Sequence, residues 1–301
     1  MLTLAHLSDL HLGPLPDHAG IRLSTKQRTG RRNWRSGRGA AFDPRTLAAL
    51  IADIDTANVD HIAVTGDLIN IGLDEEVVRA AAWLRDLGPP ERVSLVPGNH
   101  DAYVRMSLAA HTTAWADYMS GDDGTSGLPA AFPYVRRRDG VALIGISTAI
   151  TSPVLMAIGR VGHEQLKGVD AALEATGDEG LTRVVMIHHP PDRNSTAWHK
   201  RLTDASALRK VLRRRGAELV LHGHNHRNRI SRIERDGTDI PVVGVAAAAL
   251  RPRPDRPGGC WNRIEIDRSG DAHRIRMAVR AISLAGQAEE INHAEFLLPA
   301  G

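Results

Sequence analysis

The sequence predicts an α/β fold, because short apolar runs alternate along the chain with stretches of helical periodicity. Runs such as 2–7, 93–96 and 183–187 are typical of buried strands, whereas apolar residues recur at helical spacing from Leu47 to Ile54. Polar residues that can hold a cation follow several of these strands. In open α/β sheets, ligands bind at the carboxyl ends of the strands, so we expect a functional site there.

The composition is that of an ordinary water-soluble domain. Hydrophobic residues make up 42% of the 301 positions and charged residues 24%, and no clear boundary divides the chain, so we expect a single domain over 1–301. The net charge is only +3, but an isoelectric point of about 9.3 weakly favours anionic partners. Cys260 is the only cysteine, which excludes an intramolecular disulfide. No signal peptide or apolar stretch of ~20 residues is present, so we expect a cytoplasmic protein, with peripheral contact at the inner membrane face left open.

Capping and turn residues set the expected element boundaries. Asp43 and Pro44 favour a helix start, since Asp is a good N-cap and Pro fits the first helical position. The pairs Asp139-Gly140 and Asp236-Gly237 each separate two apolar runs and predict hairpins. The predicted strands are 2–7, 61–65, 93–96, 134–138, 141–147, 183–187, 219–221, 230–234, 240–245, 261–267 and 273–279. The predicted helices are one that starts after Asp43 and others at 77–87, 107–119, 163–175 and 208–215.

A basic segment interrupts the alternation of strands and helices early in the chain. Residues 22–38 carry seven Lys and Arg side chains with Trp34 among them and no acid. We interpret the region of about 20–40 as an insertion in a core of about 1–285, followed by a tail at about 286–301. The insertion is either a solvated loop or a basic flap near the site, which would meet anionic substrate, nucleic acid or lipid head groups.

Five strand ends carry side chains of similar chemistry. Asp9 and His11 are two residues apart, as are His224 and His226, so on an extended backbone each pair points to one side. Strand ends of a mainly parallel pattern would converge at one sheet edge. The residues at these ends are Asp9 and His11, Asp67, Asn99 and His100, His188, and His224 with His226.

Carboxylate, amide and imidazole ligands together favour Mn, Fe, Zn, Co or Ni over calcium. These side chains provide more ligands than one metal ion needs. Two metal ions ~3.5–4 Å apart would use all of the ligands. Asp67 is the natural bridge, because its carboxylate offers two oxygens. We therefore predict a site for two metal ions, with Mn, Fe or Zn as the main candidates.

In sequence order, these motifs resemble those of the calcineurin-like metallophosphoesterase family, over about residues 1–250. The resemblance implies a four-layer α/β/β/α sandwich with a dinuclear metal site. It also implies that His100 donates a proton or contacts the transition state and that Asp101 orients His100. Of the neighbours His188 and His189, His188 is preferred as the ligand because it directly ends its strand. The implied ligands are Asp9, His11, Asp67 and His226 for the first metal, and Asp67, Asn99, His188 and His224 for the second.

The resemblance is greatest to bacterial phosphodiesterases, so we predict hydrolysis of a phosphodiester by a hydroxide that bridges the two metals. The insertion favours, as an alternative, a phospholipase C-like enzyme acting on phospholipid head groups at membranes. A nuclease is a third hypothesis, and it predicts a steep salt dependence of binding. A non-enzymatic scaffold is disfavoured because every ligand position is filled. A homodimer is a further expectation.

Overall fold

The computed structural model confirms the predicted α/β/β/α sandwich, with two six-stranded sheets packed face to face and helices on their outer faces. The structure describes residues 1–16, 22–123, 132–193, 195–269 and 272–299. The order of the first sheet is β12-β11-β10-β1-β2-β3, and the order of the second is β4-β5-β6-β7-β9-β8.

The first sheet joins a parallel half to an antiparallel half. β1, β2 and β3 are parallel neighbours linked through helices, whereas β10, β11 and β12 form an antiparallel meander against β1. The carboxyl ends of β1, β2 and β3 therefore lie at one edge. The strands are β1 Leu2–Leu7, β2 His61–Val64, β3 Val93–Leu95, β10 Cys260–Ser269, β11 Ala272–Ile282 and β12 Ala288–Pro299.

The second sheet has a parallel centre, β5-β6-β7-β9, with antiparallel strands β4 and β8 at its edges. Both predicted hairpins are present, since β4 and β5 flank Asp139-Gly140 and β8 and β9 flank Asp236-Gly237. The strands are β4 Tyr134–Arg138, β5 Val141–Ile146, β6 Thr182–Ile187, β7 Leu219–His222, β8 Arg229–Ile233 and β9 Ile240–Gly244.

The helices link the parallel strands, and local sequence signals explain where they start. Asp43 caps α2 by accepting a hydrogen bond from the Arg45 N–H at 3.0 Å, and Pro44 occupies the first helical position, as predicted. None of the helices in the described residues is long and apolar enough to cross a membrane. The helices are α1 Thr25–Asn33, α2 Pro44–Thr56, α3 Asp74–Leu87, α4 Arg105–Ala114, α5 His163–Asp178 and α6 Ala205–Arg215.

Strand alternation directs the side chains of the second sheet into two different hydrophobic clusters. Leu143 and Val184 belong to the cluster that fills the space between the sheets, whereas Ile144 and Val185 belong to the cluster under α5 and α6. This follows from the period of two in a strand, which sends successive side chains to opposite faces. The central strands β5, β6, β7 and β9 are buried on both faces, which explains their nearly continuous apolar runs.

Four expectations need correction. The insertion is helical rather than a loop: α1 is followed by a π-helical turn over Trp34–Arg38 and a 3₁₀ turn over Gly39–Ala41, while positions 20 and 21 lie outside the described residues. The expected tail contributes β12, whose backbone pairs with β11; positions 300 and 301 are not described. The helix expected over 107–119 is split into α4 and a short turn at Ala116–Met119. Finally, the functional strand ends belong to two sheets rather than to one sheet edge.

Candidate metal centre

The predicted ligands meet where the carboxyl ends of both sheets face each other. Asp9 and His11 follow β1, Asp67 follows β2 and Asn99 follows β3, all in the first sheet. His188, His224 and His226 come from the second sheet, after β6 and β7. A cavity of about 350 Å³ opens among them. It is lined by Arg38, Asp67, Asn99, His100, Ala157, Lys200, His224, Asn225 and His226.

Five of the predicted ligands have a left-handed backbone, which non-glycine residues seldom adopt. In the described chain only three other non-glycine residues have positive φ, namely Asn58, Asp139 and Leu155. Each such residue costs of order 1–3 kcal/mol, and strain of this kind clusters at functional sites. The φ angles are 55° at Asp9, 45° at His11, 57° at Asp67, 69° at His224 and 52° at His226.

One group of donors surrounds His11. Its Nε2 lies 3.4 Å from His226 Nε2 and 3.9 Å from Asp67 Oδ2. His226 Nε2 also lies 3.1 Å from Asp9 Oδ1, yet this buried carboxylate oxygen makes no hydrogen bond. A buried carboxylate oxygen without a hydrogen bond, beside two imidazole nitrogens, is what a bound cation would satisfy.

A second group of donors surrounds His188. Its Nε2 lies 3.4 Å from Asp67 Oδ2 and 3.3 Å from Asn99 Oδ1. The His224 ring centroid is 5.2 Å from that of His188, and His224 Nε2 is hydrogen-bonded to the Lys200 carbonyl at 2.8 Å. Nδ1 of His224 is therefore the nitrogen left for a cation. Asp67 contributes to both groups, as a bridging carboxylate must.

The arrangement of donors fits divalent metals. Each of three sets of three side chains places its donor atoms within 4.8 Å of one another. Mixed nitrogen and oxygen donors suit Mn, Fe, Zn, Co and Ni. His224 belongs to none of these sets, although its ring centroid lies 5.2 Å from that of His188. The three sets are Asp9 with His11 and His226, His11 with Asp67 and His100, and Asp9 with Asp67 and His188.

The charges of Asp67 and His188 depend on each other. Burial alone would lower the pKa of His188, but the adjacent Asp67 carboxylate raises that pKa to about 9. Burial would likewise raise the pKa of Asp67, but His188 and His100 hold it well below its ordinary value. Without metal the pair is therefore charged at neutral pH, and a cation would take the place of the proton on His188.

His188 and its neighbour His189 have different surroundings. His188 Nδ1 donates to the Thr65 carbonyl at 2.6 Å, which directs Nε2 toward Asp67. In His189, both ring nitrogens have protein partners, namely the Thr148 hydroxyl at 2.7 Å and the Ala157 carbonyl at 3.1 Å. His188 therefore remains the proposed ligand of the two, because its Nε2 faces Asp67.

The contact that orients His100 differs from the one expected. His100 Nδ1 donates to the Asn70 carbonyl at 2.6 Å, so this carbonyl, and not Asp101, orients the ring. The Asp101 carboxylate instead accepts four backbone N–H groups, from Asp67, Leu68, Ile69 and Gly98. A buried carboxylate surrounded by backbone donors is already satisfied, which explains why Asp101 holds the loops rather than the imidazole.

Sequence reasoning missed Arg38 as a residue of the site. Arg38 Nη2 lies 3.0 Å from His100 Nε2 and 3.3 Å from His11 Nε2. Burial, and then the positive charge of Arg38, lower the pKa of His100 to about 4. The available signals were the basic run 22–38 and the glycine at position 37, but neither shows which arginine of the run faces the site.

Comparison with known proteins finds chains of similar sequence and similar fold. The chain is 24% identical over 274 residues to a Synechococcus protein named "Probable cyclic nucleotide phosphodiesterase", with 89% of each chain covered. Its fold is similar to that of a dimetal phosphatase from Danio rerio, with a TM-score of 0.56, 13% identity and 100% and 99% of the two chains covered. A purple acid phosphatase from yellow lupin gives a TM-score of 0.57 at 11% identity, over 99% of this chain and 53% of that one.

The sequence model of the calcineurin-like phosphoesterases matches residues 2–228. That range includes the ends of β1, β2, β3, β6 and β7, so it takes in every predicted ligand. The strand-end motifs, the two-sheet sandwich and this match all agree: the chain belongs to the calcineurin-like phosphoesterase family.

Proposed function

We propose that this protein is a dinuclear metal-dependent phosphodiesterase. The observation that carries the proposal is the position of Asp67, whose Oδ2 lies between His11 Nε2 at 3.9 Å and His188 Nε2 at 3.4 Å. In this proposal Asp9, His11, Asp67 and His226 hold one cation, and Asp67, Asn99, His188 and His224 hold the other. When bound, two divalent cations lower the pKa of a coordinated water and offset phosphoryl charge.

The residues of the chain supply orientation and hydrogen bonds. The Asn70 carbonyl can only accept, so the proton of a neutral His100 is on Nδ1 and Nε2 faces the cavity as an acceptor. His100 Nε2 must therefore be protonated before it can donate to a leaving oxygen. The backbone N–H of His100 donates to Asp67 Oδ1 at 2.7 Å, which fixes the carboxylate for its bridging role.

A diester substrate is favoured by the Synechococcus relative, whose name refers to a cyclic nucleotide. The first test compares the hydrolysis of bis-p-nitrophenyl phosphate and p-nitrophenyl phosphate with Mn²⁺, for wild type and Asn99→Ala. Preferential diester turnover that falls at least about 100-fold in the variant supports the proposal. Preference for the monoester points to a phosphatase, and no metal-dependent turnover of either ester overturns the proposal.

A second candidate, phospholipid head-group hydrolysis at a membrane, is favoured by the outer face of α1. An open groove of about 510 Å³ there is lined by Arg28, Arg31, Arg32, Arg35 and Ser36. Sedimentation with phosphatidylserine vesicles tests it, with Arg31, Arg32 and Arg35 replaced together by Ala. Binding that this triple variant loses, and that Arg85→Ala on α3 retains, supports the membrane candidate; equal binding of both variants contradicts it.

A further inference from the structure

Arg38 is the side chain of the basic insertion that lines the cavity of the candidate centre. Its Nη2 lies 3.0 Å from His100 Nε2 and 3.3 Å from His11 Nε2. Arg28, Arg32 and Arg35 of the same segment are exposed on the outer face instead. The insertion therefore directs the Arg38 guanidinium inward and these three side chains toward solvent.

Gly37 accounts for this difference in direction. In an unbroken helix Arg31, Arg35 and Arg38 would share one face, because residues four and seven apart are neighbours on a helix surface. Gly37 interrupts the helical turns with φ +134° and ψ −20°, a conformation that favours glycine. The break turns Arg38 away from the solvent face.

Contacts on several sides hold the insertion against the site. Trp34 stacks on Phe42 with ring centroids 5.7 Å apart, and Phe42 packs against His11 at 4.7 Å. Lys26 Nζ donates to the Ser152 carbonyl at 2.8 Å, and the Tyr103 hydroxyl donates to the Lys26 carbonyl at 3.2 Å. Arg38 is thus positioned by a packed segment rather than by a free loop.

The surroundings of the Arg38 guanidinium leave its charge without a direct counter-ion. Within the part of the chain that the structure describes, no carboxylate forms an ion pair with Arg38, and its Nη2 partners at the centre are two imidazole nitrogens. His11 Nε2 is also the nitrogen that faces Asp67 and His226. A cation held by His11 would take that acceptor away from Arg38, and the guanidinium and the cation would then be two neighbouring positive groups.

A negatively charged phosphate oxygen between the Arg38 guanidinium and a cation at His11 would interact favourably with both. The guanidinium presents a planar fork of N–H donors that matches phosphate geometry. We propose that Arg38 is a substrate-contacting residue that binds a non-bridging phosphoryl oxygen, and that the insertion exists in part to deliver it. This inference rests on the proposed function, and it adds to the two metals a third cationic contact that the metal-ligand motifs do not contain.

The test measures the binding of inorganic phosphate to the Mn²⁺-loaded protein by calorimetry, beside the turnover of bis-p-nitrophenyl phosphate. In Arg38→Ala we expect the Kd for phosphate to rise about 10- to 100-fold, as for the loss of a charge-assisted hydrogen bond. Arg38→Lys keeps the positive charge but lacks the planar fork of N–H donors. Its Kd for phosphate should therefore lie between those of wild type and Arg38→Ala. Arg85→Ala is the matched control, since this exposed arginine lies at the far end of α3 and should bind phosphate like wild type.

A second variant tests the role of the insertion without replacing a residue that lines the cavity. Gly37→Ala adds a methyl group that meets no atom within 4 Å but is strained at positive φ, so it should misdirect Arg38 and weaken phosphate binding. Gly237→Ala is the control, because Gly237 also has a positive φ and open space around it but lies in the β8–β9 hairpin. It introduces the same kind of backbone strain and should leave phosphate binding unchanged.

The outcomes separate this inference from the proposed function. If wild type cleaves the diester and Arg38→Ala binds phosphate equally well, the inference is overturned while the phosphodiesterase stands. If Arg38→Ala binds Mn²⁺ more tightly and cleaves the diester faster, the Arg38 side chain competes with the metal for the site. That result also overturns the inference. If Mn²⁺-loaded wild type neither binds phosphate nor cleaves the diester, both proposals fail together.

Discussion

Asp101 shows how one buried side chain can organise the backbone around a site. Its Oδ2 accepts the N–H groups of Asp67 and Gly98, both at 2.8 Å, and its Oδ1 accepts those of Leu68 at 2.9 Å and Ile69 at 3.3 Å. The loops after β2 and β3, which carry Asp67 and Asn99, are thereby tied together by one carboxylate.

Replacing Asp101 by Asn should destabilise the protein by about 2–4 kcal/mol, because the amide nitrogen would face backbone donors that lose their acceptor. Urea unfolding measures the change. Asp60→Asn is the control, since the exposed Asp60 carboxylate accepts one backbone N–H, from Thr3 at 2.7 Å, and its loss should cost less than about 1 kcal/mol. Equal losses in both variants would contradict the role assigned to Asp101.

His61 provides a pH-dependent test remote from the metal centre. Burial, followed by the nearby charge of Arg136, lowers its pKa to about 3, and the neutral ring is hydrogen-bonded to the Ser94 hydroxyl at 2.8 Å. In the unfolded chain the histidine pKa is about 6.5. Between these values the unfolded state binds a proton that the folded state rejects, so stability is lost as the pH falls from about 6.5 toward 3.

His61→Asn removes this titration and keeps a polar side chain. Urea unfolding at pH 7, 6 and 5 should show the stability advantage of wild type over the variant shrinking by roughly 2 kcal/mol between pH 7 and 5. Since the variant shares all other titrating groups, their contributions cancel in the comparison. A difference between the two proteins that stays constant over this range would rule out the buried, neutral histidine.

At the scale of elements, the turns after β2 and β3 touch so closely that glycine is required. A Cβ on Gly98 would lie 2.2 Å from Asp67 Oδ1 and 2.7 Å from Asp67 N. A Cβ on Gly66 would lie 2.5 Å from Gly98 N. The two strand ends are thus in backbone contact, which brings Asp67 and Asn99 to one place.

Gly98→Ala should therefore displace the Asp67 carboxylate and weaken Mn²⁺ binding by about 10- to 100-fold, as for other changes beside a metal ligand. Calorimetric titration of the metal-free protein measures the affinity. In Gly13→Ala the new methyl group would make only an ordinary contact, 3.5 Å from a Trp34 ring carbon, so its affinity should match wild type. Unchanged Mn²⁺ affinity in Gly98→Ala would refute the steric argument.

At the scale of the whole molecule, the candidate centre joins the two sheets. Asp9, His11, Asp67 and Asn99 come from the first sheet, and His188, His224 and His226 come from the second. Because these positions are as far apart in sequence as 9 and 226, the unfolded chain cannot form the site. Metal binding should therefore stabilise the folded protein through mass action.

We expect Mn²⁺ at about 100 times its Kd to raise the free energy of unfolding by about 2.7 kcal/mol relative to excess chelator. Urea unfolding with Mn²⁺ and with chelator measures this difference. His188→Ala should lose most of the gain, because it removes a donor next to Asp67. A wild type that binds Mn²⁺ without any gain in stability would mean that the metal binds elsewhere or binds the unfolded chain as well.

Much of the fold could be predicted because its signals are local. The hairpins at Asp139-Gly140 and Asp236-Gly237, and the helix that begins after Asp43, depend on residues within a few positions of one another. The tail was missed for the converse reason. β12 is largely exposed, so it lacks the apolar alternation of a half-buried strand, and only its pairing with β11 shows that it is one.

The sequence by itself determined the family of the chain and the side chains that its strand ends present. Strand-end carboxylate, amide and imidazole groups are fixed by residue type and by position after an apolar run, and both are readable without a structure. Tertiary structure alone decided how these groups are held. The Asn70 carbonyl orients His100, Asp101 binds backbone rather than His100, and Arg38 enters the cavity. Each of these contacts joins residues that lie far apart along the chain or depends on one backbone break, so residue type and spacing do not encode it.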